Sequence, residues 1–365
     1  MLNKFFKLNI FLLFSTVSLY AEQFTESFRL DGYANVNMKE EKQERKDSLK
    51  VSGGFQGRYE VSDNMAITGQ VHFREGHKSN GMPSNSLEDY DTELKWLYLD
   101  YYFKDDITLR LGAFQFPIFK SSETGDIGYT YTWTETPLRF YGVFGCDDYE
   151  GIELLKNFSY GDYNFLAQFS YGQSTNELSD GRGTSRNGEA SDLIGLTFKT
   201  SHDDFLLSVG YIQAKSTLDI PDILINIVDD TVNFNMMALE SEFYLGDYTL
   251  KSGFIKTNLD NVFPEDIKYY TSLEYSYKDI TPYILYSKEI LKFKDASRFN
   301  KPLPVKLVDE QYSEKYSLGV RYDFNENMAF KFSYTYENDV KKYGNIFNNS
   351  TDKSSNLMGT INVIF

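Results

Sequence analysis

The stretch LKVSGGFQGRYEVSDNMAITGQVHFRE, residues 49–75, alternates between apolar and polar side chains on both sides of a short polar interruption. Successive side chains of a β-strand point to opposite faces, so a period of two indicates two strands, each with an apolar and a polar face. The interruption, Ser62-Asp63-Asn64, has the composition of a tight turn. The stretch therefore predicts a β-hairpin that separates an apolar environment from water.

The same unit recurs along the chain. Seven such hairpins with short turns, and one more strand at each end, predict sixteen antiparallel strands. Longer polar loops are expected near 38–48, 77–91, 117–149, 174–190, 216–231, 258–266, 288–312 and 338–354. Residues 216–231 are unusually apolar for a loop. They leave three alternatives open: a lid, an interface, or an additional strand pair that gives eighteen strands.

The unequal connections indicate a barrel that crosses a membrane. Short turns at one end and long loops at the other are typical of transmembrane barrels. Strands of about 9–11 residues suit a tilted crossing of the bilayer, and closure leaves no unpaired backbone edge in lipid. We therefore expect an all-β, transmembrane antiparallel β-barrel with short periplasmic turns, long outer loops and apolar side chains that face lipid.

The first 21 residues have the features of a secretory signal. Lys4 and Lys7 precede an apolar run that is too short to span a membrane, and Ala21 ends a stretch of small residues. We expect residues 1–21 to be a signal peptide and residues 22–365 to form one barrel domain.

Charge, cysteine and histidine content argue against several functional classes. The formal net charge is −16, and phosphate binding needs a positive surface, so nucleic acid is not expected as a partner. The single cysteine, Cys146, is inconsistent with a disulfide scaffold. The three histidines have no metal-ligand spacing and no Gly-x-Ser-x-Gly motif occurs. We expect no catalytic residues, no cofactor and no metal.

Two segments resemble known proteins. The chain ends on NLMGTINVIF, residues 356–365, an alternating strand with a terminal Phe365, and so resembles the porins of the Gram-negative outer membrane. In that family the barrel-assembly machinery recognises the terminal aromatic residue, and the resemblance implies that role for Phe365. Residues 107–142, ITLRLGAFQFPIFKSSETGDIGYTYTWTETPLRFYG, are similar to a segment of the porin families that include the phosphate-selective porins. Phosphate selectivity is not implied, because the loop at 117–149 contains only Lys120 and Arg139 as basic residues.

The third long loop of porins folds into the barrel and narrows it, and the resemblance implies the same for residues 117–149. Strand parity also places ionisable side chains inside the barrel. The basic ones lie on early strands: Arg58, Arg74, Lys95 and Arg110. The acidic ones lie on later strands and on the third loop: Glu153, Glu240, Glu242, Glu274, Glu123, Asp126 and Glu135. A basic arc that faces an acidic loop would impose a strong field on a narrow opening. Alternatively, these charges only keep the lumen wet.

Together these features predict an outer-membrane porin of a Gram-negative bacterium. We expect a homotrimer that forms a water-filled channel for passive diffusion of small hydrophilic solutes and ions, with a mild cation preference from the acidic surplus. Outer-membrane lipid, lipopolysaccharide and the barrel-assembly machinery are the expected partners. Two alternatives stay open: a substrate-specific channel for phosphate or an organic anion, and a surface adhesion or structural barrel with a plugged lumen.

Overall fold

The computed structural model describes residues 27–41, 46–75, 90–137, 140, 148–179, 185–218, 231–259, 264–292, 310–342 and 350–365. The expected signal peptide, residues 1–21, and Cys146 lie outside these residues, as does most of the 216–231 segment. Among the described residues, no helix is long and apolar enough to cross a membrane.

Sixteen antiparallel strands form one closed barrel, in which β1 pairs with β16 and every other strand pairs with its sequence neighbours. The strands are β1 (Phe28–Glu41), β2 (Lys46–Ser62), β3 (Met65–Glu75), β4 (Tyr90–Tyr102), β5 (Ile107–Gln115), β6 (Asp148–Tyr160), β7 (Tyr163–Ser179), β8 (Ser185–His202), β9 (Phe205–Leu218), β10 (Thr231–Leu245), β11 (Tyr248–Leu259), β12 (Glu265–Tyr275), β13 (Ile280–Lys292), β14 (Glu310–Asn325), β15 (Met328–Lys342) and β16 (Ser350–Ile364). The predicted fold class and the prediction of sixteen strands are confirmed. The eighteen-strand alternative is wrong, because β9 pairs directly with β10 as far as Thr217 and Thr231 and leaves no gap in the wall.

Most strands are longer than the predicted 9–11 residues. Strand lengths range from 9 residues in β5 to 18 in β8. In the first hairpin, pairing continues to Glu41 and Lys46, so most of the predicted 38–48 loop is strand. The predicted loops at 174–190 and 258–266 are shortened in the same way. The change to polar sequence marks the point at which a strand leaves the apolar environment. Backbone pairing with the neighbouring strand continues beyond that point.

The two faces of the wall differ as the alternation predicts. On β6, Ile152 and Leu154 are exposed on the outer face, whereas Glu153 between them is buried inside the barrel. Exposed aromatic residues gather near the short turns and further along the strands toward the long loops. They include Phe103, Tyr163, Tyr248, Tyr277, Tyr322 and Phe324 near the turns, and Tyr171, Tyr211 and Tyr334 further along.

The barrel closes at its last residue. Gly32 and Phe365 exchange two backbone hydrogen bonds of 2.6 and 2.9 Å. The Phe365 ring lies directly on Gly32, where a Cβ atom would be 2.3 Å from the ring atom Cε2. Only glycine fits beneath the ring, so the terminal residue is part of the barrel seam.

A row of glycines lies where the chain turns into the barrel. Gly112, Gly151 and Gly172 are paired across β5, β6 and β7. A Cβ atom on Gly151 would lie 2.1 Å from the carbonyl oxygen of Tyr171, and Gly112 has a φ of +147°. The three backbones therefore approach more closely than side chains would allow. β5 ends three residues later, at Gln115.

Candidate channel lumen

We call the connection between β5 and β6, residues 116–147, the inner loop; its described residues, 116–137 and 140, enter the barrel. Its described residues include two 3-10 turns, at Ser122–Thr124 and Gly128–Thr130. The Tyr129 hydroxyl donates a hydrogen bond of 2.8 Å to the Glu326 carbonyl, which lies in the short β14–β15 turn. The inner loop therefore reaches toward the short-turn end of the barrel. The predicted inward folding of the third long loop is confirmed.

On one side, the inner loop packs against an apolar wall. Its side chains Phe119, Trp133 and Phe140 are buried in one cluster with residues from β6 to β13. The Phe140 and Tyr270 rings meet edge to face with 4.7 Å between centroids. The buried wall residues are Tyr149, Ala190, Leu193, Ile212, Ala214, Met236, Ala238, Ile255, Tyr270, Tyr283 and Leu285. We call the inner face of β6–β13 the apolar half. Close packing of apolar side chains leaves little room for water there.

Three of the predicted pore acids hold the inner loop on this apolar half. Glu240 accepts a hydrogen bond of 2.6 Å from the backbone N–H of Lys120, whose Nζ atom lies 2.5 Å from Glu242 Oε1. The Thr132 hydroxyl donates to Glu274 at 2.7 Å. These glutamates point inward, as parity predicts, but they are nearly fully buried. Their contacts with the loop compensate for the loss of water around the carboxylates.

The opposite inner wall, on β14–β16 and β1–β4, is polar and contacts the main chain of the inner loop. Lys331 Nζ donates to the carbonyls of Gly128 and Trp133, the latter at 2.9 Å. Arg321 donates to two further loop carbonyls at 2.6 and 3.1 Å, and Asn35 accepts from the Gly128 N–H at 3.1 Å. Other inward side chains here include Thr68, Gln70, His72, Asp100, Ser313, Ser333, Thr335, Asn356, Thr360 and Asn362. We call this face the polar half. The side chains just named are themselves buried, whereas Arg74, Glu93 and Asp126 on the same side are 39–59% exposed and can hydrogen-bond water.

Arg58 and Arg110, from the predicted basic arc, share one carboxylate. Asp100 lies 3.2 Å from Arg58 Nη1 and 3.0 Å from Arg110 Nε. Arg110 Nη1 also lies 3.0 Å from Glu123 of the inner loop and 3.3 Å from Glu153. Arg110 of the predicted basic wall thus contacts Glu123 of the acidic loop directly. The wall and the loop do not face each other across an opening at this point. Both arginines are locally neutralised.

The remaining predicted wall charges form a cluster on the polar half. Lys95 Nζ lies 3.5 Å from Glu93 and 3.6 Å from Asp126 of the inner loop, and Arg74 lies 3.9 Å from Glu93. Alternation from the outward-facing Leu94 points Lys95 inward, as predicted, whereas alternation from the outward-facing Leu97 would point it outward. An irregularity in the β3–β4 register turns Lys95 inward, and its side chain is buried. The Arg74 side chain, by contrast, is 59% exposed.

Glu135 lies on the inner loop near Tyr131 and is half-buried. Desolvation raises the pKa of the Tyr131 phenol, and the negative charges of Asp126 and Glu135 raise it further. Tyr131 is therefore neutral at physiological pH.

No group of three or more His, Cys, Asp or Glu side chains in the described part of the chain could hold a metal ion.

No protein-family model and no curated protein sequence matches the chain. Several solved structures do match it. OmpT, an outer membrane protein of Vibrio cholerae in a trimer form, is 14% identical, with a TM-score of 0.59 over 93% of this chain and 99% of the other. OmpF of Salmonella typhi, in complex with daunomycin, is 14% identical, with a TM-score of 0.60 over 93% and 97%. An anion-selective porin from Comamonas acidovorans is 11% identical, with a TM-score of 0.60 over 93% and 99%.

The chain has the porin fold. Several residues that were not predicted from the sequence also hold the inner loop, among them Asn35, Arg321 and Lys331. Arg321 and Lys331 occupy inward positions of alternating strands, so parity marks them as lumenal. It does not show that they meet the inner loop, because their bonded partners are 192 and 203 residues away in the sequence.

Proposed function

We propose that the chain forms a channel in the outer membrane of a Gram-negative bacterium, through which small hydrophilic solutes and ions diffuse passively. The observation that carries this proposal is the polar half, which lies inside a closed barrel whose outer face is apolar. The outer face suits hydrocarbon, and the polar inner face suits water. Diffusion needs no covalent step, so no catalytic residues are required.

Solutes would pass between the inner loop and the wall of the polar half, because the apolar half is packed. Side chains that are at least one-third exposed on this side include Glu60, Glu93, Glu123 and Asp126 as acids, and Arg74 as a base. Arg58 and Arg110 contribute little positive field, because each contacts Asp100. The surplus of exposed carboxylates supports a mild cation preference.

A substrate-specific channel for phosphate or an organic anion is the second candidate. One of the similar structures is an anion-selective porin. In this chain, two of the four predicted lumenal bases are paired with a buried carboxylate, which disfavours anion binding by Arg58 and Arg110. The third candidate, a structural or adhesion barrel, gains some support from the packed apolar half.

The proposed assembly is a homotrimer, which gains support from the trimer form of the similar OmpT structure. We further propose that residues 1–21 are removed on export and that the barrel-assembly machinery recognises Phe365. Outer-membrane lipid and lipopolysaccharide would surround the apolar outer face. Blue-native electrophoresis of the detergent-extracted protein tests the trimer, and Phe365→Ser tests recognition by its yield in the outer membrane.

Planar-bilayer recording in a potassium chloride gradient tests the channel and its selectivity together. We expect ohmic conductance and a reversal potential that indicates cation preference. A reversal potential of the opposite sign would overturn the cation preference. Liposome swelling with a panel of sugars and organic anions separates a general pore from a specific one. Absence of both conductance and swelling would favour the structural barrel.

A further inference from the structure

His72 is a buried imidazole at the edge of the polar half, and no hydrogen bond to it is found within the described part of the chain. It lies on β3, points into the barrel and is 4% exposed. Neither of its ring nitrogens has a hydrogen-bond partner among the described residues. Buried polar groups are nearly always paired, so an unpaired one needs an explanation. Passive diffusion through the lumen does not by itself require this side chain.

The groups around His72 come from every neighbouring element. On β2, the residue opposite His72 is Gly54, which has no side chain. The titratable groups that face the imidazole are Tyr33 on β1, Arg74 on β3, Glu93 and Lys95 on β4, and Asp126 of the inner loop. Asp148 on β6 lies beyond them and interacts with Lys95 and Glu93. Asp126 makes the one close charged approach, with its Oδ2 atom 3.8 Å from His72 Nδ1.

The main chain of the inner loop holds Asp126 in place. Asn35 Nδ2 donates to the Asp126 carbonyl at 2.9 Å, and Asn35 Oδ1 accepts from the Gly128 N–H at 3.1 Å. The Asp126 side chain stays 39% exposed, so this carboxylate faces both lumenal water and His72. A charge on His72 would therefore change the field at a water-exposed carboxylate without movement of the loop.

We propose that His72 is a charge-selectivity determinant of the channel. Protonation of the imidazole adds one positive charge beside Asp126 and shifts the permeability of the channel from cations toward anions as the pH falls. This inference rests on the proposed channel function. Histidine has an ordinary pKa of about 6.5; at this site burial opposes the charged imidazole and the Asp126 carboxylate favours it. Carboxylates with ordinary pKa values of about 4 stay ionised through most of the range from pH 5 to 8. Protonation of His72 can therefore be separated from protonation of the carboxylates.

Reversal potentials of the wild type and of His72→Gln, measured at about pH 8 and about pH 5, test the proposal. For the wild type, we expect the cation-to-anion permeability ratio to fall by about twofold or more between the two values. For His72→Gln, which cannot gain a proton, the ratio should stay constant. His202→Gln is the matched control, because His202 lies at the β8–β9 turn near Asp204 and away from the inner loop. It should respond as the wild type does.

A second variant keeps the test decisive if His72→Gln does not fold. Asp126→Asn retains the imidazole, and the main-chain contacts with Asn35 should keep the loop in place. This variant should be less cation-selective at about pH 8 and should change its selectivity at a lower pH than the wild type, because the carboxylate no longer stabilises the imidazolium. A wild-type response in His72→Gln, or in Asp126→Asn, would overturn the role of His72. Absence of conductance in the wild type would overturn the proposed channel function instead.

Discussion

The apolar and polar halves of the inner wall hold the same loop in different ways. On the apolar half, the loop contributes side chains such as Phe119 and Phe140, which pack into a buried cluster. On the polar half, Arg321 and Lys331 contact its backbone carbonyls. Apolar packing excludes water, whereas the side-chain N–H groups of Arg321 and Lys331 satisfy loop carbonyls that would otherwise need water. The barrel therefore has an apolar core on one side of the loop and polar contacts between the loop and the wall on the other.

Contacts with the inner loop also explain why some charged side chains that point into the barrel are buried. Glu240 and Glu274 lie inward on the apolar half and are paired with the loop. Arg74 and Asp126, associated with the polar half, remain partly exposed. Inward orientation alone therefore does not make a residue a pore charge. The position of the inner loop decides which inward charges meet water.

The largest expected effect comes from removing the aromatic side chains that anchor the loop. The double variant Trp133→Ala and Phe140→Ala should cost about 3–5 kcal/mol per residue in anchoring free energy, by loss of burial and cavity formation. The loop should then leave the apolar half. We expect single-channel conductance to rise by about twofold or more, because the loop no longer narrows the lumen. Phe332→Ala, on the exposed outer face, is the matched control and should leave conductance unchanged.

Charge reversal at Arg110 tests the boundary between the two halves. Arg110→Glu leaves Asp100 and Glu153 buried without a shared cation, and such a change costs about 3–5 kcal/mol. We expect a lower thermal midpoint in heat-modifiability gels as well as altered conductance. Stability equal to that of the wild type would show that the buried network does not form.

Lys331→Met tests the polar half with a smaller expected effect. The carbonyls of Gly128 and Trp133 lose a buried hydrogen-bond donor, which should cost about 1–3 kcal/mol. Because the aromatic anchors remain, the loop should stay in the lumen but fluctuate more. Current noise in single-channel records measures this. Lys278→Met, in the short β12–β13 turn, is the control and should have the current noise of the wild type. Wild-type noise in Lys331→Met would contradict the role of Lys331 in holding the loop.

Arg74→Glu should have the smallest effect on stability. Its side chain is exposed, and its nearest acid, Glu93, is 3.9 Å away, so the free energy of unfolding should change by about 0.5 kcal/mol or less. Ion selectivity should nevertheless move toward cations, which the reversal potential measures. Unchanged selectivity would place Arg74 outside the conduction path.

Much of the fold could be predicted from the sequence, because alternation and turn composition are local signals. The hairpin at residues 49–75 and the inward position of Glu240 follow from period two alone. The strand ends could not be predicted, because pairing at Glu41 and Lys46 continues in polar sequence. The carboxylate that Arg58 and Arg110 share could not be predicted either, because that contact depends on register across three hairpins. The inner loop's partners lie up to 203 residues away.

Cysteine accessibility tests most directly whether water fills only the polar half. In a Cys146→Ser background, single cysteines would replace Arg58 and Arg74 on the polar half and Ala238 and Ile255 on the apolar half. A charged methanethiosulfonate reagent should modify the first pair and reduce the current through the channel, and it should leave the second pair unmodified. Equal modification of both pairs, or modification of the apolar half alone, would contradict a lumen divided into a packed core and a wet channel.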